Sequence, residues 1–387
     1  MRLNNARACH NVFAVASGRT ILAVFNPSDW YTREVMRGVF DYRRERAQWR
    51  VTCAGEEALE RADGFAGILG FLSSPAAIDR ARSAHVPAVN FSDARVDRGL
   101  SHVVPDNRAA GRLAAEHALA REYAHFAYVG NGQLRWDRLR RDGWEKRLRR
   151  QPGAPIHPMH NAWAEVDELA DWLDALPKPA AVFARHDPSA VHVLDACHAA
   201  GLTVPDDVAV IGVNNDEVLC ESTQPTLSSV RFDCYHLGWT AAQELDRRMA
   251  EPAARCRVIR LAPLGVVERA SSAPRISDDP VVARAAAYVR DHVSQPLTAT
   301  ELAAIVGVGR RTLETRIRRS LGVSPHELIR DARLTQARWL LEHTDLPVHR
   351  IAARCGFQDP HYFSHHFHQQ TGRPPLAYRG TCRRGDA

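Results

Sequence analysis

Arg311, Glu314, Thr315 and Arg318 fall three and four residues apart, so on a helix they share one face. Arg can grip N7 and O6 of guanine and Glu can accept from N4 of cytosine, so such a face suits base reading in a major groove. Pro360, His361, Ser364 and His365 form a second face of related spacing about 49 residues further on. Arg310, Arg316, Arg319, Arg333 and Arg373 are candidates for phosphate contacts, which position a protein without specifying sequence. For any single residue an ordinary solvated helix position is as good a reading. For each face as a group it is not. His361 and His365 also lie four apart, as in zinc-binding helices, but no Glu follows the first His, and Phe363 and Phe367 fit a core. Neither a metal nor another cofactor is expected.

The elements that must carry these faces are written twice. Leu302-Ala303-Ala304-Ile305-Val306-Gly307-Val308 is matched by Ile351-Ala352-Ala353-Arg354-Cys355-Gly356-Phe357. Each copy leads into an amphipathic stretch and then into Gly322-Val323-Ser324-Pro325 or Gly372-Arg373-Pro374-Pro375. This is helix, tight turn, helix, used twice. Val308, Leu313, Ile317 and Leu321 have core spacing in the first unit; Phe357, Phe363 and Phe367 point inward in the second. Upstream, Pro280 opens a further helix with Asp279 as its N-cap, and Thr298 is a local helix start.

Charge follows the same division. Residues 280–387 hold 16 Arg, no Lys and 9 Asp and Glu, a balance of +7 in a chain whose total is +6. The excess positive charge therefore sits on the segment with the repeated motif, as phosphate binding requires. From about Arg19 to Ala270, short apolar runs alternate with amphipathic stretches. The runs include Thr20–Phe25, Ala66–Gly70, Val86–Phe91, His125–Gly130, Ala180–Ala184 and Val208–Val213. That alternation implies parallel sheets covered by helices, most simply as two α/β lobes around a cleft.

The polar Ser271–Asp279 stretch reads as a linker, giving a two-lobed α/β domain over 19–272, a linker over 273–279 and a DNA-binding domain over 280–382. Eight scattered Cys without a Cys-x-x-Cys pair argue against a disulfide scaffold or zinc finger. Val12–Ala16 is too short for a secretory apolar region, and nothing approaches a membrane span, so a cytoplasmic location without membrane contact is expected.

The C-terminal segment resembles the AraC/XylS family of transcription regulators. The resemblance rests on Ile351-Ala352-x-x-Cys355-Gly356-Phe357, Tyr362-Phe363-Ser364, Phe367 and Thr371-Gly372-x-Pro374-Pro375-x-x-Tyr378-Arg379. It implies two helix-turn-helix units joined by a long helix, here Pro325 to about His343, entering successive major grooves of an operator. His365 stands where that family usually has Arg, so the second unit is expected to grip less tightly or to be sensitive to pH.

The two-lobed region is similar to the effector core of LacI/GalR-type repressors, which is periplasmic-binding-protein-like. It matches through Val104-Pro105-Asp106-Asn107-x-x-Ala110-Gly111, Arg140-x-x-Gly143-Trp144, His186-Asp187 and Val210–Asn215. Only about 18 residues precede the first apolar run, so DNA reading is expected in the C-terminal half. Phe25-Asn26, Tyr31, Gly38-Val39 and Arg135-Trp136 extend the likeness to the xylose-responsive, XylR-like regulators.

The resemblances imply a fold class: a two-lobed, parallel-sheet α/β domain followed by an all-α double helix-turn-helix. They also imply a ligand site built from Asn26, Tyr31, Asp106, Trp136, Arg140, Asp187 and Asn214, with Trp30 as a further stacking candidate. Carboxylates, amides and Arg bridge neighbouring sugar hydroxyls, and an aromatic ring covers the C–H face. A helix-capping role for Asp106 and Asp187 stands beside that reading. The expected partners are a double-stranded DNA operator, a xylose-like sugar, RNA polymerase and a second copy of the chain, in an activator of pentose catabolic genes. A repressor, a sensor of a non-pentose ligand and a sugar-processing enzyme with an appended regulatory domain are the alternatives. For the last of these, no Gly-x-Ser-x-Gly elbow or phosphate-binding loop is present.

Overall fold

The computed structural model describes residues 19–47, 49–251, 253–273, 277, 279–343 and 346–384. Part of the expected linker, residues 274–276 and 278, lies outside the described residues. The strands are β1 (Thr20–Val24), β2 (Arg50–Ala54), β3 (Gly67–Gly70), β4 (Ala88–Asn90), β5 (Ser101–Pro105) and β6 (His125–Gly130), followed by β7 (His160–Asn161), β8 (Ala180–Ala184), β9 (Val208–Asn214), β10 (Ser228–Arg231), β11 (Val258–Leu261) and β12 (Gly265–Val267). Between them run α1 (Trp30–Arg46), α2 (Pro75–Ser83), α3 (Asn107–Leu119), α4 (Arg135–Leu148), α5 (Val166–Ala175), α6 (Asp187–Ala199), α7 (Glu217–Ser222) and α8 (Cys234–Ala250).

The strands form two six-stranded sheets, ordered β11-β5-β4-β3-β1-β2 and β12-β10-β9-β8-β6-β7. All pairings are parallel except β10 with β12. The chain passes between the sheets three times, after β5, β10 and β11, so the two lobes share several connections. The central strands are buried on both faces, which is why their sequences are continuous apolar runs instead of alternating ones.

The helices that carry the cleft are locked to their neighbours by glycine. A Cβ on Gly111 of α3 would stand 1.9 Å from the Arg140 carbonyl oxygen of α4, and one on Gly143 of α4 would stand 2.0 Å from that of Arg108. In the other lobe Gly38 of α1 and Gly238 of α8 meet in the same way, at 1.9 Å from Tyr235 O and 1.8 Å from Val35 O. Each crossing is too close for any side chain. Each also sits within one helix of the cleft.

The C-terminal part is all helical: α9 (Pro280–Asp291), α10 (Ala299–Ile305), α11 (Arg310–Leu321), α12 (Pro325–His343), α13 (Val348–Arg354), α14 (Pro360–Thr371) and α15 (Pro375–Arg384). It contains two small cores. Val282, Leu302, Leu313, Ile317 and Ile329 pack in the first; Leu334, Leu341, Ile351, Phe363 and Phe367 pack in the second. The long α12 gives its first half to one core and its second half to the other. Gly307 and Gly356 sit at φ +74° and +73° in the two tight turns, a conformation any Cβ would strain. Asp279 caps α9 through Val281 N, and Thr298 forms a reciprocal capping box with Glu301. No helix among the described residues is long and apolar enough to cross a membrane.

Candidate ligand cleft and DNA-reading faces

A cavity of about 120 Å³ opens between the lobes, lined by Asp29, Tyr31, Phe71, Phe91, Asp93, Pro105, Asn107, Trp136, Arg140, His186 and Asn214. These residues sit at or just beyond the carboxyl ends of β1, β3, β4, β5, β6, β8 and β9, where parallel strands stop and their side chains converge.

Arg140 is its centre. The guanidinium is buried, donates from Nε to Asn107 Oδ1 at 2.9 Å, from Nη1 to the Arg185 carbonyl, and from Nη2 to Asn214 Oδ1 at 3.4 Å. The Trp136 ring lies 4.8 Å from its Cζ, and Phe232 lies at 5.5 Å. Burial pulls its pKa below the usual arginine value, partly offset by the nearby Tyr128, Asp137 and Asp187. Asn107 turns its other end to Asp93, donating to Oδ2 at 2.9 Å, and Arg135 pairs with the opposite oxygen. Burial raises the Asp93 pKa, with those partners pulling it back.

His186 contributes a neutral donor. Its Nδ1 accepts from Ser189 N at 3.0 Å, which leaves the proton on Nε2. Burial, reinforced by Arg185 and Arg140, lowers its pKa to about 4. Beneath it the Arg185 guanidinium stacks between Trp136 at 4.9 Å and Trp163 at 5.1 Å, with Asp137 Oδ2 3.6 Å away. Asp137 is itself tied down by Tyr128 OH and by the backbone N–H groups of Asn131 and Gly132. The cleft thus offers carboxylate, amide, imidazole and guanidinium groups around an indole face. Such a set of donors and acceptors suits a small polar molecule with several hydroxyls.

Of the seven residues expected at the ligand, Tyr31, Trp136, Arg140 and Asn214 line the cavity. Asn26, Asp106 and Asp187 do not. Asn26 is exposed, with Oδ1 accepting from Ser28 N. Asp106 caps α3, accepting from Ala109 N at 3.0 Å, as the alternative reading had it. Asp187 is fully buried; Ser229 Oγ and Asp216 N occupy its oxygens at 2.5 and 2.9 Å. Trp30, the further stacking candidate, packs against the core. The residues not singled out beforehand are Asp29, Phe71, Phe91, Asp93, Pro105, Asn107 and His186. Asn107 and His186 stand next to Asp106 and Asp187 in the same motifs.

In the helical part, Arg311, Thr315 and Arg318 on α11, and Pro360, His361 and His365 on α14, are exposed; Glu314 and Ser364 are half-buried. Thr315 Oγ1 and Ser364 Oγ each donate to a carbonyl four residues back, at 2.9 and 2.8 Å, so their lone pairs remain to accept. Glu314 pairs with Arg310 at 3.0 Å. With Arg310 held by Glu314, three of the candidate phosphate contacts are already engaged. Arg316 reaches Asp279 at 3.3 Å, and Arg333 clamps the carbonyls of Val293 and Gln295 beside Phe357.

Known proteins match this layout. Residues 115–272 fit the model of a periplasmic binding protein-like domain, and residues 302–381 that of a helix-turn-helix domain. The xylose operon regulatory protein of Haemophilus influenzae is 24% identical over 382 residues, covering 94% of this chain and 98% of that protein. Its Escherichia coli K12 counterpart is 26% identical over 378 residues, covering 93% and 96%. A solved structure described as the xylose-binding transcription activator xylR superposes with a TM-score of 0.73 at 25% identity, over 94% of this chain and 98% of that one. The chain is a DNA-binding transcription regulator similar to XylR, in which a periplasmic-binding-protein-like domain is followed by a helix-turn-helix domain of AraC type.

Proposed function

We propose that the chain is a cytoplasmic, one-component activator whose operator binding responds to a pentose resembling xylose. The observation that carries this is the cavity between the lobes, which Arg140, Asp93, Asn107, His186 and Asn214 line together with the Trp136 ring. Adjacent sugar hydroxyls need donors and acceptors on several sides at once, and an indole beside Arg140 supplies the apolar face. The relatives named for the xylose operon, matched over nearly the whole chain, favour a pentose over larger sugars.

Sugar binding between the lobes favours one arrangement of them, and the DNA-binding domains follow that population shift. The functional unit is a homodimer on two half-sites, in contact with RNA polymerase. Within each protomer, the exposed faces of α11 and α14 read bases: Arg311, Glu314, Thr315 and Arg318 in one groove, Pro360, His361, Ser364 and His365 in the next. The effector domain spans 19–272 and the DNA-binding domain 280–382, with the linker between them.

Calorimetry with D-xylose, L-arabinose, D-ribose, D-glucose and adenosine tests the ligand class. Saturable binding of a pentose, tighter than that of the hexose and the nucleoside, is the expected result. Binding of adenosine alone would replace the pentose reading with a nucleoside sensor.

A further inference from the structure

Two adjacent residues at the end of β9 face two different parts of the molecule. The Asn214 carboxamide lines the ligand cavity, where its Oδ1 accepts from Arg140. The next side chain, Asn215, is buried and turned the other way, and its Oδ1 accepts from Arg269 Nη1 at 2.9 Å. Both residues have positive φ, +115° and +57°. Such backbone is disfavoured for a residue with a Cβ and persists only where surrounding bonds over-determine it. Those bonds are present: Asn215 N donates to Ser229 Oγ at 3.0 Å, and Asp216 N donates to the buried Asp187.

Arg269 opens the segment by which the effector domain hands the chain to the helical domain. Its Nη1 also donates to Leu227 O, and its backbone N donates to Ser228 Oγ at 2.8 Å. Beyond it Ser271 and Ser272 are fully buried, with Ser271 Oγ on Val210 O at 2.6 Å and Ser272 Oγ on His117 Nε2 at 2.7 Å. After the linker, Asp279 caps α9 and also accepts from Arg316 of α11 at 3.3 Å. The first DNA-reading helix is therefore tied to the residue with which the helical domain begins.

We infer that Asn215 and Arg269 are the positioning pair that transmits occupancy of the cavity to the DNA-binding domain. A ligand hydroxyl that takes over the Asn214 carboxamide displaces its 3.4 Å bond from Arg140 and turns the peptide joining Asn214 to Asn215. The strained turn has few alternative geometries, so the rotation reaches the Arg269 bond and the strap behind it. Neither residue of the pair lines the cavity, so their role is in the response and not in affinity. This rests on the sugar-binding reading of the cleft.

The test is hydrogen–deuterium exchange on the full chain with and without saturating D-xylose. Peptides covering 135–140 and 208–216 report binding, and peptides covering 280–321 report transmission. Asn215→Gly keeps the positive φ and removes the carboxamide that accepts from Arg269, and Asn215→Asp supplies an acceptor facing Arg269. Arg269→Met is a second break, should Asn215→Gly fail to fold. Wild type and Asn215→Asp are expected to change in both windows. Asn215→Gly and Arg269→Met are expected to keep the binding window, with D-xylose affinity within about threefold of wild type, while the 280–321 response falls at least about fivefold, the lower end of an ordinary coupling. A wild-type-sized response at 280–321 in both broken variants overturns the inference, as does a wild type that changes only in the binding window. No change in either window of the wild type instead strikes the sugar reading, and removes the premise here with it.

Discussion

Replacing Arg140 with Met gives the sharpest prediction about the cleft. Three of the five guanidinium N–H bonds are directed to Asn107, Arg185 and Asn214, which leaves two to offer a ligand. A hydrogen bond from a charged donor contributes about 1.5–3 kcal/mol net. At 1.4 kcal/mol per decade, losing one such bond weakens sugar binding about 10- to 100-fold. The Met side chain fills part of the space beside the Trp136 and Phe232 rings but lacks the charge that lies over them. Two of the three abandoned acceptors, Asn107 and Asn214, line a cavity that water can enter, and the third is the Arg185 carbonyl, so the cost in stability is about 1–2 kcal/mol. Calorimetry with D-xylose on Arg140→Met, beside a thermal melt to show that the chain is folded, reads both quantities. A folded variant whose Kd stays within about threefold of wild type would refute the placement of Arg140 at the ligand.

Gly111→Ala pushes a methyl to within 1.9 Å of the Arg140 carbonyl, so α3 and α4 must separate. It is expected to cost about 1–3 kcal/mol in denaturant unfolding and to weaken sugar binding, because α4 carries Trp136 and Arg140. The buried imidazoles of His117 and His186 have pKa values lowered to about 3 and about 4 by burial. Both are neutral when folded and take up protons more readily when unfolded. The stability they contribute is complete above pH ~6.5 and is lost as the pH falls toward 4. His117→Gln should flatten the fall in melting temperature between pH 6.5 and 4; a slope unchanged from wild type would contradict this. His365→Arg on the exposed face of α14 adds a fixed positive charge there and should tighten operator binding, as read by fluorescence anisotropy. An affinity no tighter than wild type would contradict a contact of this face with DNA.

The sequence made some features legible because each has a strong local cause. The runs at 20–24, 125–130, 180–184 and 208–214 are central strands buried on both faces, so they are apolar throughout. The edge strand Arg50–Ala54 is partly exposed and has no such run to betray it. In the helical part, Gly307, Gly356, Leu313, Phe363 and Phe367 occupy the turns and cores that the doubled motif requires. The cleft was legible only in part. The motifs located the right strand ends, but at each end the chain turns into a helix, and consecutive side chains diverge there. Asp106 bonds back to its own helix while Asn107 faces the cavity; Asp187 is consumed by Ser229 and Asp216 while His186 faces it. Choosing the acid at each pair followed the chemistry of sugars, but a short carboxylate at a helix start is captured by backbone N–H groups. Asp29 and Asp93 come from loops with no motif of their own, after β1 and β4 of one sheet, and only the folded lobe brings them to one cavity.

The central claim is that small-molecule occupancy of the upstream cleft governs DNA reading by the doubled helix-turn-helix. Duplexes selected from a random pool by the full chain in the presence of D-xylose supply the DNA, and anisotropy titrations with and without the sugar supply the measurement. A bipartite site with half-contacts about one helical turn apart is expected, with an affinity that the sugar shifts at least about fivefold. Equal affinity with and without a sugar that calorimetry shows to be bound would contradict it.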